Sequence, residues 1–179
     1  MMFDKKRFLQ LSQFILFTLI FMFACAMQTS FFPFILGTIP APQLWLIIII
    51  YIILKWPLYT GIFFAYFLGF VFTFYSYTPL KMILISLNIL YMTVWTVKNR
   101  VSSNTLISFA TFSTLSNFLF NIVYFLVSQL LESNSTSLFP LYRLVEYGMT
   151  FLASIPLYLA LNFIDGLFSS QKAWNEHDN

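Results

Sequence analysis

The chain has 179 residues, 60% of them hydrophobic and 8% charged, where ordinary soluble domains carry about 25% charged residues. That excess of apolar surface excludes a water-soluble core and makes lipid the solvent of a single polytopic domain spanning 1–179. The formal charge of +3 is too small and scattered for a nucleic-acid groove, and one cysteine, Cys25, excludes an intrachain disulfide or a Cys-rich metal site.

Charged side chains divide the chain into uncharged runs at 8–54, 56–80, 82–97, 101–131 and 147–164, each a candidate passage through a hydrocarbon core about 30 Å thick. As a helix the first run would reach about 70 Å, so it has to turn, and Pro33, Gly37, Pro40 and Pro42 mark where. The expected fold is all-α and integral to the membrane. Six transmembrane helices at about 8–27, 43–55, 58–76, 82–97, 105–130 and 147–166 form one compact bundle.

Residues 1–7 make a basic cap, and lysine and arginine near a span resist translocation. The first span follows. Its Ala24-Cys25-Ala26 triplet resembles a signal-peptide cleavage site, but the apolar run is long for such a signal, and Cys25 reads as a buried, inert thiol. Residues 28–43 hold three prolines and a glycine and read as an external loop at headgroup depth. The second span is short: at about 20 Å it calls for flanking aromatics or thin lipid, with Trp45 and Trp56 marking its ends and a re-entrant hairpin as the rival reading.

The third span carries Gly61, Ala65 and Gly69 at four-residue spacing. They form a small-residue face for close packing within the bundle or for a partner's helix. A turn at Tyr77-Thr78-Pro79 leads to the fourth span, with Lys81 and Lys98 expected to snorkel outward from its ends. Lys98-Asn99-Arg100 forms the next turn.

The fifth span is the most polar, with Ser113, Asn117 and Asn121 at four-residue spacing. Such a stripe belongs inside the bundle or against another protein. The loop after it contains Asn134-Ser135-Thr136, a glycosylation-like triplet too near the membrane to carry weight. Residues 138–147 read as an interfacial turn of helix in which Arg143 and Glu146, three apart, form an ion pair. Pro156 is expected to kink the last span, Asp165 lies near its inner end, and the tail with His177 reads as polar and frayed.

With both chain ends inside, Lys5, Lys6, Arg7, Lys55, Lys98, Arg100 and Lys172 fall on the cytoplasmic side and Lys81 and Arg143 outside. That sorting supports an N-in, C-in topology. No ionisable group is expected at mid-span, and no catalytic, metal or cofactor motif is present in the sequence. The many aromatics read as packing and lipid-facing residues rather than as a pocket for a flat cofactor.

Several short features, spread over most of the chain, resemble the MreD family, a multispan subunit of the bacterial rod-shape machinery. They are Gln28-Thr29-Ser30 closing the first span, Pro42-Gln43-Leu44 opening a short aliphatic span with Tyr51, Gly69, the Thr78-Pro79-Leu80 turn, and Pro156 in the terminal span. Gln43 stands where the family tends to an acidic residue, Thr73 where it tends to Asp, and Lys81 where it tends to glycine. The resemblance implies a non-enzymatic scaffold of the peptidoglycan elongation complex in the bacterial inner membrane. Its partners would be membrane lipid and an MreC-like bitopic protein and, through the complex, MreB filaments and the peptidoglycan polymerase and transpeptidase. The family's fold is similar to the S-components of energy-coupling-factor vitamin transporters, so a small-molecule-binding subunit is the alternative.

Overall fold

A computed structural model describes residues 5–76, 78–98, 105–132 and 140–177. Residues 1–4 of the amino-terminal cap, Tyr77, Asn99 and Arg100, and the Asn134-Ser135-Thr136 triplet lie outside the described residues. So do the side chains of Lys5, Lys6, Arg7, Lys172 and His177. The described backbone is helical, in the order α1 Lys5–Ala26, a π-helical turn Met27–Phe31, α2 Phe32–Leu36, α3 Leu44–Lys55, α4 Leu58–Phe72, α5 Leu80–Lys98, α6 Leu106–Leu131 and α7 Pro140–His177. The first three run on without a break, which leaves six rods. Four of them, over Gln10–Leu36, Leu80–Lys98, Leu106–Leu131 and Tyr142–Phe168, are long and apolar enough to cross a membrane.

The shortest rod is the centre. In α3, LWLIIIIYIILK, ten consecutive residues from Trp45 to Leu54 are buried. A helix that is apolar on every face has nowhere to put a solvent side, and its stable place is inside other helices. Here α3 touches α1, α4, α5, α6 and α7, and those five contact one another in a closed ring, α1 to α4, α4 to α5, α5 to α6, α6 to α7 and α7 to α1. Surrounded in this way, α3 presents no outward face along its length. Trp45 stacks on Phe72 with ring centroids 4.1 Å apart, Trp56 stacks on Phe64 at 5.1 Å, and both tryptophans are buried.

Three expectations change. Residues 28–36 are not loop. The helix loosens to a π-turn in which Phe32 N–H bonds to Met27 O, and the wider turn comes just before Pro33, which has no N–H to give to the preceding turn. The rod stops at Gly37, whose φ of +59° admits no side chain comfortably, and only 37–43 remain as connection. Residues 140–147 are not a separate interfacial turn, because α7 runs continuously from Pro140 through Pro156 to His177, and the tail is helical to that point. Lys98, expected to reach outward, turns in: its Nζ donates to Ile53 O at 3.1 Å and Trp56 O at 3.3 Å, and it lies 4.5 Å from the Trp95 ring. A cation at the last carbonyls of α3 complements that helix's dipole.

Gly61, Ala65 and Gly69 are buried on the side of α4 that meets α5. A Cβ at Gly69 would lie 2.5 Å from Leu87 Cδ1, and one at Gly61 would lie 2.9 Å from the Tyr91 hydroxyl, which donates to Leu58 O. The stripe thus serves close approach of two helices of this chain. Gly69→Leu is expected to lower thermal stability in detergent by about 1–3 kcal/mol through overpacking. Gly148→Leu, where nothing lies within 4 Å of an added Cβ, should leave the melting temperature almost unchanged. Equal melting temperatures for the two variants would contradict this packing.

Candidate functional site

Polar residues inside the ring gather at its two ends. At the end where α3 begins, the chain enters from Pro42 with Gln43 as the residue before the helix, and its half-buried backbone is met by other parts of the protein. The Gln43 N–H donates to Thr150 Oγ1 at 3.1 Å. Its side-chain Oε1 accepts from Trp45 Nε1 at 2.7 Å and from Gln28 Nε2 at 3.0 Å, which ties the π-turn segment to the start of α3.

Thr150, fully buried on α7, is the junction. It also accepts from Asn117 Nδ2 at 3.4 Å and donates to the Glu146 carbonyl one turn back at 2.7 Å, which saturates its hydroxyl. Glu146 is 2% exposed. Its Oε2 accepts from Arg143 Nη1 at 2.7 Å and its Oε1, over a long 3.5 Å, from Asn117. Asn121 donates to Asn117 Oδ1 at 3.0 Å. One network therefore links the π-turn, the start of α3, α6 and α7.

The expected Arg143–Glu146 ion pair is present, and Glu146 within it is a buried carboxylate, tolerable there because both oxygens accept hydrogen bonds and Arg143 neutralises its charge. Ser113 shares the α6 stripe with Asn117 and Asn121 yet does not join: its hydroxyl is buried without a partner, as is that of Ser86 on α5. The sequence reading passed over Thr150, and named Gln28 and Gln43 only in the short features that carry the family resemblance, Gln43 also as a departure from it. Uncharged polar residues at the ends of apolar runs were the available signal. Beside the network a small cavity of about 160 Å³ is lined by Gln43, Trp45, Thr78, Asn121, Tyr124 and Arg143, among others.

At the opposite end, where α3 finishes and α4 begins, a second cavity of about 280 Å³ opens to the surface between α1, α4 and α7. Lys55, Gln13 and Asp165 line it, and Gln13 Nε2 donates to Asp165 Oδ1 at 2.7 Å. Among the described residues, no group of three or more His, Cys, Asp or Glu is placed to hold a metal ion.

These observations define an all-helical bundle with the length and composition of a multi-pass membrane protein. No protein-family model matches the chain, and neither does a curated protein or a solved structure.

The ion pair makes a quantitative expectation. Arg143→Met should cost about 3 kcal/mol by leaving Glu146 buried and uncompensated, whereas the double variant Arg143→Met with Glu146→Met should recover much of the loss. Additive losses in a double-mutant cycle, read by thermal melts, would show that the two residues do not act as a pair.

Proposed function

We propose that this chain is a non-enzymatic scaffold of the bacterial cytoplasmic membrane that resembles the MreD family. On this reading it crosses the bilayer six times with both ends in the cytosol. It holds the transmembrane helix of an MreC-like bitopic protein within the peptidoglycan elongation machinery, and through that complex it connects to MreB filaments and to the peptidoglycan polymerase and transpeptidase. The observation that supports this most is the sealed interior. A helix buried along ten consecutive residues inside a closed ring of five others makes a rigid body, whose working surface is its outside.

The placement of the small-residue and polar stripes refines the proposal. Both face inward: the small-residue stripe packs α4 on α5, and from the polar stripe Asn117 bonds to Glu146 and Thr150 of α7. A partner helix therefore docks on outward faces of the ring. The alternative, a vitamin-binding subunit with the fold of energy-coupling-factor S-components, needs a ligand cavity at the end where Gln43 lies. The cavity there has about 160 Å³, below the roughly 300–1,000 Å³ usual for small-molecule sites. The scaffold reading is favoured on that ground.

Two measurements test the proposal. Reporter fusions at both chain ends should report the cytosol, and detergent extracts should yield this chain together with a tagged MreC-like protein. A tail reporter active outside the cell, or full recovery of the chain without that partner, would refute the assignment.

A further inference from the structure

The cavity beside the polar network offers hydrogen-bond donors, and among the described residues no acidic side chain lines it. Gln43 Oε1 already accepts from Trp45 and Gln28, which fixes the way round the amide lies and leaves its Nε2 hydrogens without a partner among the described residues. Arg143 also lines the space. Its side chain is 32% exposed and gives one N–H, from Nη1, to Glu146. A guanidinium carries five N–H groups in a planar fork, so most of its donors stay open for a second acceptor.

The rest of the lining is largely apolar. Trp45 and Phe72 stack with centroids 4.1 Å apart, and Phe120 meets Trp45 edge-on at 5.2 Å. A volume of about 160 Å³ is below the roughly 300–1,000 Å³ of ordinary small-molecule sites, so the guest has only a few heavy atoms. Arg143 repels a cation, and a wholly apolar guest would leave the Gln43 and Arg143 donors unmet. A carboxylate accepts from the guanidinium fork through two parallel hydrogen bonds, and a short aliphatic stem behind it covers the aromatic wall. Phosphate has no such stem.

We propose that this cavity receives a carboxylate on a short aliphatic stem, with its oxygens held by the Arg143 guanidinium and Gln43 Nε2 and its stem against Trp45 and Phe72. A free short-chain acid and an acidic side chain of a partner protein offer the same chemistry.

The test uses the full-length protein in detergent at constant ionic strength. Its melting temperature is titrated with propionate and with propionamide, which has nearly the same shape and no charge, since a ligand of the folded state raises stability by mass action. Propionate should act at about tenfold lower concentration, the scale of one charge-assisted hydrogen bond. Thr78→Phe, which fills the cavity and alters neither Arg143 nor Gln43, should abolish the response. Arg143→Lys, which keeps a cation for Glu146 but not the fork, should remove the preference for the charged form.

The source is read by recovering the chain from membranes with a tagged MreC-like protein, an arm that rests on the scaffold proposal. A fall in partner recovery of about tenfold with Thr78→Phe makes the partner's acidic side chain the occupant; recovery equal to that of the unaltered chain makes it a free acid. Equal responses to propionate and propionamide by the unaltered protein, or no response to either, overturn the carboxylate site, and that comparison needs no variant to fold. Loss of the partner from the unaltered chain with the propionate response intact refutes the scaffold and upholds the site.

Discussion

Surrounding a helix on every side leaves the groups at its two ends to be met largely by other parts of the protein, and much of this structure is arranged around that constraint on α3. Within the helix each N–H has a carbonyl, but the first N–H groups and the last carbonyls have none of their own. At one end Lys98 reaches from α5 to the carbonyls of Ile53 and Trp56. At the other, the chain before α3 is held by Thr150 from α7 and, through the Gln43 side chain, by Gln28 and Trp45. The helices that seal α3 are therefore also the ones that terminate it.

Burial of the ionic pair follows from the same geometry. Thr150 can serve Gln43 only if α7 lies close to the start of α3, and one turn earlier on α7 this brings Glu146 inside against Asn117 of α6. A carboxylate in such a place needs a cation and a second donor, and Arg143 and Asn117 supply them. The result is a polar knot in an otherwise apolar interior, which fixes the relative rotation of α6 and α7 more sharply than greasy side chains would. Whether such a pair adds net stability over an apolar replacement is a separate matter from this directional role.

Burial of α3 on every side is consistent with a scaffold. Among the described residues, cavities of about 160 and 280 Å³ lie at the two ends of the bundle, the second lined by both Lys55 and Asp165.

The sequence by itself determined the helical class, the number of rods and roughly where each begins and ends. Runs of apolar residues between charges can satisfy their backbones in lipid only as helices, and that is a local property. It also marked a small-residue face at Gly61, Ala65 and Gly69 as a place for close packing, since side chains without bulk let another helix approach. Only the tertiary structure decided which polar residues meet. Gln43 and Thr150 are 107 residues apart, and Lys98 and Ile53 are 45 apart. No periodicity along one helix encodes such a contact, because it depends on how five other helices rotate about the sixth. For the same reason the burial of Glu146 was decided by the fold and not by its position near a span end. The depth of a side chain in a bundle is set by the neighbours that cover it as well as by its own place in the run.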